Sequence, residues 1–136
     1  MDIAAIKSFH EIEPKSAIWD KYSKIVDTIQ ITGPSLIVAI YKRPEKTRGG
    51  IIRPDKYLEE DFYQGKVGLV IKTSHYPVDE EDRKHFDGRL PQVGDWVMFR
   101  ASDGLSFGLA DTKGDCRYFA DRRSIRMIIP DPEMIW

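Results

Sequence analysis

Three histidines and one cysteine are the side chains best suited to metal chemistry, but their spacing does not form a metal site. His10, His75 and His85 are not spaced like the close pairs, such as H-x-x-x-H, that bind zinc. Cys116 is the single cysteine, so no second thiol can share a metal or close a disulfide within the chain. The sequence therefore predicts no metal site and no cofactor.

Four consecutive acids, Asp79 to Asp82, are the strongest concentration of carboxylates in the chain. Neighbouring side chains on a loop point in different directions and seldom converge on one cation. A calcium-binding EF-hand needs acids at alternate positions and a closing glutamate, and this pattern does not supply them. We therefore interpret these acids as part of a solvated acidic loop.

The pair Gly49-Gly50 lies among basic residues, which suggests a phosphate-binding loop. A phosphate-binding loop of the P-loop type continues with Gly-Lys-Ser or Gly-Lys-Thr into a helix, and neither feature follows here. No serine lies in a nucleophile-elbow motif that would link it to a histidine and an acid. We predict a protein that is not an enzyme and has no catalytic residues.

The charge balance argues against a nucleic-acid-binding surface. The chain has 136 residues, 41% hydrophobic and 32% charged, with a formal net charge of -1. One local cluster is basic and flanked by Tyr41 and Tyr57, but Ile51 and Ile52 lie at its centre. The cluster consists of Lys42, Arg43, Lys46, Arg48, Arg53 and Lys56. Because apolar side chains at the centre suit a protein partner better, we do not expect nucleic acid as a partner.

The sequence predicts neither a membrane span nor an export signal. No apolar run approaches the roughly 20 residues that a membrane helix needs, and the N-terminal segment MDIAAIKSFHEIEP has an acid at its second position. The single cysteine suits a reducing compartment. We expect a cytoplasmic protein that does not bind membranes.

Residues 1–33 are predicted to form an arm that contains a short helix. Trp19, Tyr22, Val26 and Ile29 recur every three to four residues, which gives one apolar stripe, and Pro14 fits an early helical position. We expect this stripe to pack on the body of the protein or on a neighbouring subunit.

Residues 34–129 are predicted to be mainly β, folded as a small closed or partly closed barrel. Gly68 suggests a bulge or bend, and Asp103-Gly104 suggests a hairpin turn. Two long loops, 46–64 and 74–91, interrupt the strands, and residues 130–136 form a tail. The predicted strands are 35–43, 65–73, 93–101, 105–109, 116–120 and 125–129.

The order of these segments resembles the GroES (chaperonin-10) co-chaperonin family. The resemblance lies in SLIVAIYKRPEKTRGGIIRPD, followed by GKVGLVIK and then by VGDWVMFR, and it extends over residues 35–129. In that family a first strand leads into a loop with two glycines and an apolar triplet, and a Gly-x-Val strand and a Val-Gly-Asp turn follow.

The resemblance implies a GroES-like β-barrel that assembles as a ring and docks on a chaperonin. Residues 46–55, which we term the docking segment, match the family's mobile loop. Gly49 and Gly50 would supply backbone freedom, and Ile51 and Ile52 would be the docking side chains. The third apolar position is Arg53 here, so its charge must meet solvent or an acid of the partner. The alternative is that both isoleucines pack on their own barrel.

Other departures from the family lead to a second hypothesis. The segment 74–91 lies where the family has its roof hairpin, but it is long and acidic, and the arm and the tail have no family counterpart. Such additions resemble bacteriophage-encoded members, which would work in the host cytoplasm. A phage could also use this barrel as a virion protein that decorates or stabilises the capsid and binds the major capsid protein. Under either hypothesis we expect inter-subunit contacts from Trp19, Tyr22, Ile135 and Trp136.

Overall fold

The computed structural model describes residues 13–42, 66–109 and 115–134. Over these residues the protein is mainly β, as predicted, with six strands and two helices. The helices are α1 (Pro14–Val26) and α2 (Glu80–His85). The strands are β1 (Leu36–Ile40), β2 (Val67–Thr73), β3 (Trp96–Phe99), β4 (Leu105–Phe107), β5 (Cys116–Phe119) and β6 (Ile125–Ile129). Single 3-10 turns cover Ala101–Asp103, Arg122–Ser124 and Pro132–Met134.

Glu13 caps the first turn of helix α1. The Glu13 carboxylate accepts hydrogen bonds from the backbone N–H groups of Lys15, at 3.1 Å, and Ser16, at 2.8 Å. Pro14 follows at the first helical position, where its missing N–H costs nothing. The helix is therefore fixed at its start by local sequence.

The described strands form one antiparallel sheet in the order β4-β5-β1-β2-β3-β6. Strand β1 lies near the centre, and all five of its residues are buried. Its side chains alternate between two apolar clusters, one on each face of the sheet. A strand that is buried on both faces has no polar positions, which explains the continuous run LIVAI.

Helix α1 covers one face of the sheet. Tyr22 and Val26 are buried there, in one cluster with Ile37, Leu69 and Trp96. Burial of each such side chain stabilises the fold by about 1.5–3 kcal/mol. The arm is thus packed on the sheet through its helix.

The sheet curls around the apolar cluster on its other face. Phe99 on β3 and Phe119 on β5 are separated in the sheet by β1 and β2, a distance of about 14 Å across a flat sheet. Their ring centroids are nevertheless 4.9 Å apart, in an edge-to-face contact. The sheet must therefore bend strongly around this second cluster.

Gly68 allows two strands to approach closely, rather than forming the predicted bulge or bend. A Cβ atom at this position would lie 2.3 Å from Val38 Cγ1 and 2.6 Å from the Ala39 carbonyl oxygen. The irregularity between β1 and β2 falls instead between Ile37 and Val38. A glycine within a strand can mark either a bulge or a close approach of two backbones, and Gly68 marks a close approach.

The prediction of a hairpin turn at Asp103-Gly104 was wrong. Strand β3 pairs with β2 and β6, whereas β4 pairs with β5, so the two strands that flank this dipeptide are not neighbours. Gly104 has an extended backbone, with φ of -113°, and not the positive φ of a two-residue hairpin turn. A Cβ atom here would lie 3.0 Å from the Phe119 ring, so Gly104 makes room for β5.

Candidate functional site

The docking segment belongs to a connection, residues 43–65, whose two ends are held side by side. Ile40 pairs with Gly68 across β1 and β2, and the Tyr41 N–H donates to the Val67 carbonyl at 2.9 Å. On the next strand the Phe99 N–H donates to the Lys66 carbonyl at 2.9 Å. The connection therefore leaves and re-enters the sheet at one end. The predicted docking residues lie outside the described residues: Gly49, Gly50, Ile51, Ile52 and Arg53.

A buried carboxylate lies at this end of the sheet, where it joins the arm to the start of the connection. Asp115 Oδ1 is 3.1 Å from Lys42 Nζ, and Asp115 Oδ2 is 3.4 Å from Lys21 Nζ. The Tyr22 hydroxyl donates to Asp115 Oδ2 at 3.1 Å. Helix α1 supplies Lys21 and Tyr22, and Lys42 directly precedes the connection. We term these four residues the root cluster.

The root cluster keeps Asp115 ionised. Burial by itself would raise the pKa of Asp115, but the hydrogen bond and charge of Lys42, with Tyr22 and Lys21, hold that pKa below its usual value. Burial and the neighbouring Asp115 charge raise the pKa of the Cys116 thiol to about 12. A thiol of that kind is a poor nucleophile, so the cluster suits structural attachment rather than covalent chemistry.

A cavity of about 220 Å³ opens beside the root cluster. Ala17 and Ile18 of helix α1 line it on one side, and Ile40 and Tyr41 line it on the other. The cavity therefore lies between the arm and the last described residues before the connection 43–65.

Trp19 and Tyr22, which were predicted to contact other subunits, differ in their exposure to solvent. Tyr22 is buried under its own helix, in the root cluster. Trp19, one turn earlier, is 39% exposed, whereas Ile18 packs against the apolar cluster. Trp19 thus lies on the outer side of the helix, where a second chain can reach it. Ile135 and Trp136 lie outside the described residues.

The acidic segment, residues 74–91, contains helix α2, so the interpretation of its acids as a solvated loop was wrong in part. Asp79 accepts from the Asp82 N–H at 2.8 Å, and Asp82 accepts from the Asp79 N–H at 3.2 Å. This reciprocal capping starts a helix of six residues. The Asp82 side chain is buried, whereas Glu81 is exposed.

Two arginines after β5 bind the buried Asp82. Arg122 Nη2 donates to Asp82 Oδ2 at 2.5 Å, and Arg123 Nε donates to Asp82 Oδ1 at 2.9 Å. Arg123 also reaches Asp79, with 3.1 Å between Nη2 and Oδ1. The hydrogen bond from Arg122 is the main reason that the pKa of Asp82 is far below its usual range, against the opposing effect of burial.

Arg122 also fixes the backbone that leads into the acidic segment. Its Nη1 donates to the Tyr76 carbonyl at 3.2 Å, and its Nη2 donates to the Pro77 carbonyl at 2.9 Å. One guanidinium thus holds two carbonyls and a carboxylate that lie 40 to 46 positions earlier in the chain. These hydrogen bonds attach the acidic segment to the 3-10 turn that follows β5.

Within the described ranges, no group of three or more histidine, cysteine, aspartate or glutamate side chains could hold a metal ion. No helix in the same ranges has the length and apolar character needed to cross a membrane. The compartment in which the protein works stays a prediction.

In comparisons with known proteins, no family model and no curated protein matches this chain. The resemblance to the GroES family therefore stays a prediction from the residues.

Neither ionic cluster was predicted from the sequence. Asp79 and Asp82, three residues apart ahead of a short polar run, have the spacing of a capping box, and this signal could have predicted helix α2. No local pattern pairs Asp82 with Arg122 or Asp115 with Lys42, because those contacts depend on the folded sheet.

Proposed function

We propose that this protein is a non-enzymatic co-chaperonin whose curled sheet is a GroES-like β-barrel. The docking segment, residues 46–55, binds an apolar groove on a chaperonin, with Ile51 and Ile52 as the side chains that are buried on docking. The contact between Phe99 and Phe119 supports the barrel, because a sheet that curls to this degree approaches closure.

One observation carries the proposal: the docking segment lies in a long connection between neighbouring antiparallel strands whose ends are fixed. Strands β1 and β2 are paired up to Ile40 and Gly68, and Tyr41 and Val67 extend the pairing by one further hydrogen bond. A tight hairpin would need two to five residues here. Residues 43–65 are far more than closure requires, as expected of a segment that has to reach a partner.

The energetics require more than one copy of the docking segment. Two isoleucines contribute about 1.5–3 kcal/mol each on burial, while ordering each residue of the segment costs roughly 1–2 kcal/mol. One segment alone binds weakly. In a ring, the second and later contacts are intramolecular, so several weak segments together bind firmly.

The described sheet offers edges for self-association. Within the residues that the structure describes, β4 and β6 are the outer strands, and each pairs with one neighbour. An outer strand has backbone groups that can pair with a second chain. In a partly closed barrel these two strands stay apart within one chain. Contact between β4 of one chain and β6 of the next is then head-to-tail, a geometry that generates a ring where the rotation closes.

The test is the substitution Ile51→Asp in the full chain, assayed for binding to a purified chaperonin by co-sedimentation. We expect binding to be lost while the sedimentation coefficient of the free protein is unchanged, because a charge in the apolar groove is costly but the ring contacts lie elsewhere. Val78→Asp is the matched control, since Val78 is an exposed aliphatic residue outside the docking segment and outside the outer strands.

Unchanged chaperonin binding by Ile51→Asp would show that the docking role is wrong. If Val78→Asp removes binding as strongly while the assembly stays intact, the contact with the chaperonin lies on the acidic segment and not in the docking segment.

A capsid-decorating role is the second candidate, and the distribution of exposed apolar side chains favours it. Among the described residues, four of these side chains lie on helix α1, on both outer strands and in the tail, as expected of a subunit with neighbours on several sides. They are Trp19, Leu105, Met127 and Met134. If the protein has this role, it is present at high copy number in purified virions and is bound to the major capsid protein. Absence of the protein from the particles would show that this role is wrong.

A further inference from the structure

The last two described residues before the connection 43–65 are held by groups from distant parts of the chain. They are Tyr41, which is buried, and Lys42, which is exposed, and we term them the exit residues. Strand β1 ends one position earlier, at Ile40, so the contacts of the exit residues fix the point at which the chain leaves the sheet. Their partners come from the arm, from the residue just before β5 and from the tail.

The tail fixes Tyr41. The Tyr41 hydroxyl donates to Glu133 Oε1, and the Tyr41 ring makes an edge-to-face contact with Trp96, with 5.5 Å between the ring centroids. The tail is itself attached, because Pro132 is buried and the Glu133 N–H donates to Asp131 Oδ1 at 2.9 Å. The tail therefore supplies a hydrogen-bond acceptor to a side chain 92 positions earlier.

The arm fixes Lys42 through Asp115. Lys42 Nζ lies 3.1 Å from Asp115 Oδ1, and the Tyr22 hydroxyl of helix α1 donates to the other oxygen, Oδ2, at 3.1 Å. The Asp115 carbonyl also accepts from the Ile40 N–H at 2.8 Å, so the backbone and the side chain of Asp115 both hold the end of β1. Because the Lys42 side chain is 55% exposed, its ion pair contributes little to the stability of the whole fold, and its effect is local.

The position of the exit residues bears on docking because a segment must be ordered when it binds. Each residue that is loose before docking adds its own conformational entropy to the cost of binding. Residues that are already fixed in the free protein add none. The arm and the tail lie outside the residues that resemble the GroES family, 35–129, yet both reach the exit residues.

We propose that Tyr41 and Lys42 are positioning residues, through which the tail and the arm raise the affinity of the docking segment for the chaperonin. Glu133 and Asp115 fix the two exit residues before docking, so that fewer residues have to be ordered on the chaperonin. This inference rests on the proposed function. It adds that the arm and the tail support docking from within the same chain.

The first measurement is hydrogen exchange at the Tyr41 amide, which needs no chaperonin. The Tyr41 N–H donates to the Val67 carbonyl at 2.9 Å and exchanges when this pairing opens. In the full chain, Glu133→Ala and Lys42→Met should each speed that exchange about threefold to tenfold, the effect of losing one local hydrogen bond or ion pair. Unchanged exchange in both variants would overturn the proposal.

The second measurement is the affinity of the same variants for a purified chaperonin, by co-sedimentation over a range of concentrations. Glu133→Ala and Lys42→Met should each bind about threefold to tenfold more weakly, with the mass of the free assembly unchanged. Glu133→Gln keeps an acceptor and Lys42→Arg keeps the charge, so both should bind within about twofold of the wild type. Lys24→Met and Tyr76→Phe, which change exposed side chains elsewhere, are the matched controls.

The outcomes separate this inference from the proposed function. If the wild type binds the chaperonin and Glu133→Ala and Lys42→Met bind as tightly, the inference is wrong and the proposed function stands. If the wild type does not bind, both are wrong. If either variant lowers the mass of the free assembly, its side chain supports contacts between subunits, and the positioning role is wrong.

Discussion

Asp82 and Arg122, which lie 40 positions apart in the chain, form a buried ion pair with 2.5 Å between Oδ2 and Nη2. Arg123 binds the second oxygen of the same carboxylate at 2.9 Å. This pair fixes the acidic segment to the 3-10 turn after β5. The position of that segment therefore depends on two residues that neither periodicity nor spacing connects.

Asp82→Ala should destabilise the protein strongly. Removing one partner of a buried, hydrogen-bonded ion pair leaves the other charge uncompensated, which costs about 3–5 kcal/mol. Urea denaturation at one fixed protein concentration measures the loss in free energy of unfolding. Glu81→Ala is the control, because Glu81 is exposed and its ion pair with Lys84 is a surface pair at 3.9 Å. A loss below about 1 kcal/mol for Asp82→Ala would contradict the assigned role.

Acid should destabilise the wild-type protein partly through Asp82. The folded-state pKa of Asp82 lies far below its ordinary value of 3.8. As the pH falls through about 4, the unfolded chain binds a proton that the folded protein does not, and stability is lost. The free energy of unfolding of Asp82→Asn should therefore fall less steeply between pH 5 and pH 3 than that of the wild type. Parallel pH profiles would show that Asp82 has an ordinary pKa.

Much of the strand pattern could be predicted from the sequence, because its signals are local. The β-branched runs located all six described strands, and the strand ends shifted by a few residues. The Val-Gly-Asp turn was also predicted, and Gly94 there has φ of +96°, which glycine adopts readily. The order of the strands was harder to predict. Asp103-Gly104 has the composition of a hairpin turn, which would place β4 beside β3, whereas β4 lies beside β5.

The missed elements depend on contacts between distant residues. Helix α2 has six residues, too few for an apolar period, and its one buried side chain, Asp82, is paired with Arg122. In helix α1 the predicted stripe included Trp19, but the helix is rotated so that Ile18 faces the core. Both residues are apolar and adjacent, so periodicity alone could not choose between them.

Tyr22→Phe should weaken the attachment of the arm. The substitution removes the hydroxyl that donates to Asp115 at 3.1 Å and leaves a buried carboxylate with one donor fewer. The expected loss is about 1–3 kcal/mol in free energy of unfolding. Tyr76→Phe removes the same hydroxyl from an exposed ring and should cost less than about 0.5 kcal/mol. Equal effects of the two substitutions would contradict the role given to the root cluster.

Cys116 should be unreactive in the folded protein. Its side chain is buried, and its pKa of about 12 leaves a thiolate fraction on the order of one in ten thousand at pH 8. Labelling with a chromogenic disulfide reagent should be slow in buffer and complete within seconds in concentrated urea. Rapid labelling of the folded protein would show that β5 opens to solvent far more readily than its burial indicates.

Ring assembly and chaperonin docking are tested together by the mass of the full chain in solution, measured by sedimentation alone and after mixing with a purified chaperonin. A co-chaperonin ring has a mass that is a multiple of 15.7 kDa, and it co-sediments with the chaperonin when mixed. A single species of 15.7 kDa that sediments unchanged beside the chaperonin would contradict both the assembly and the docking.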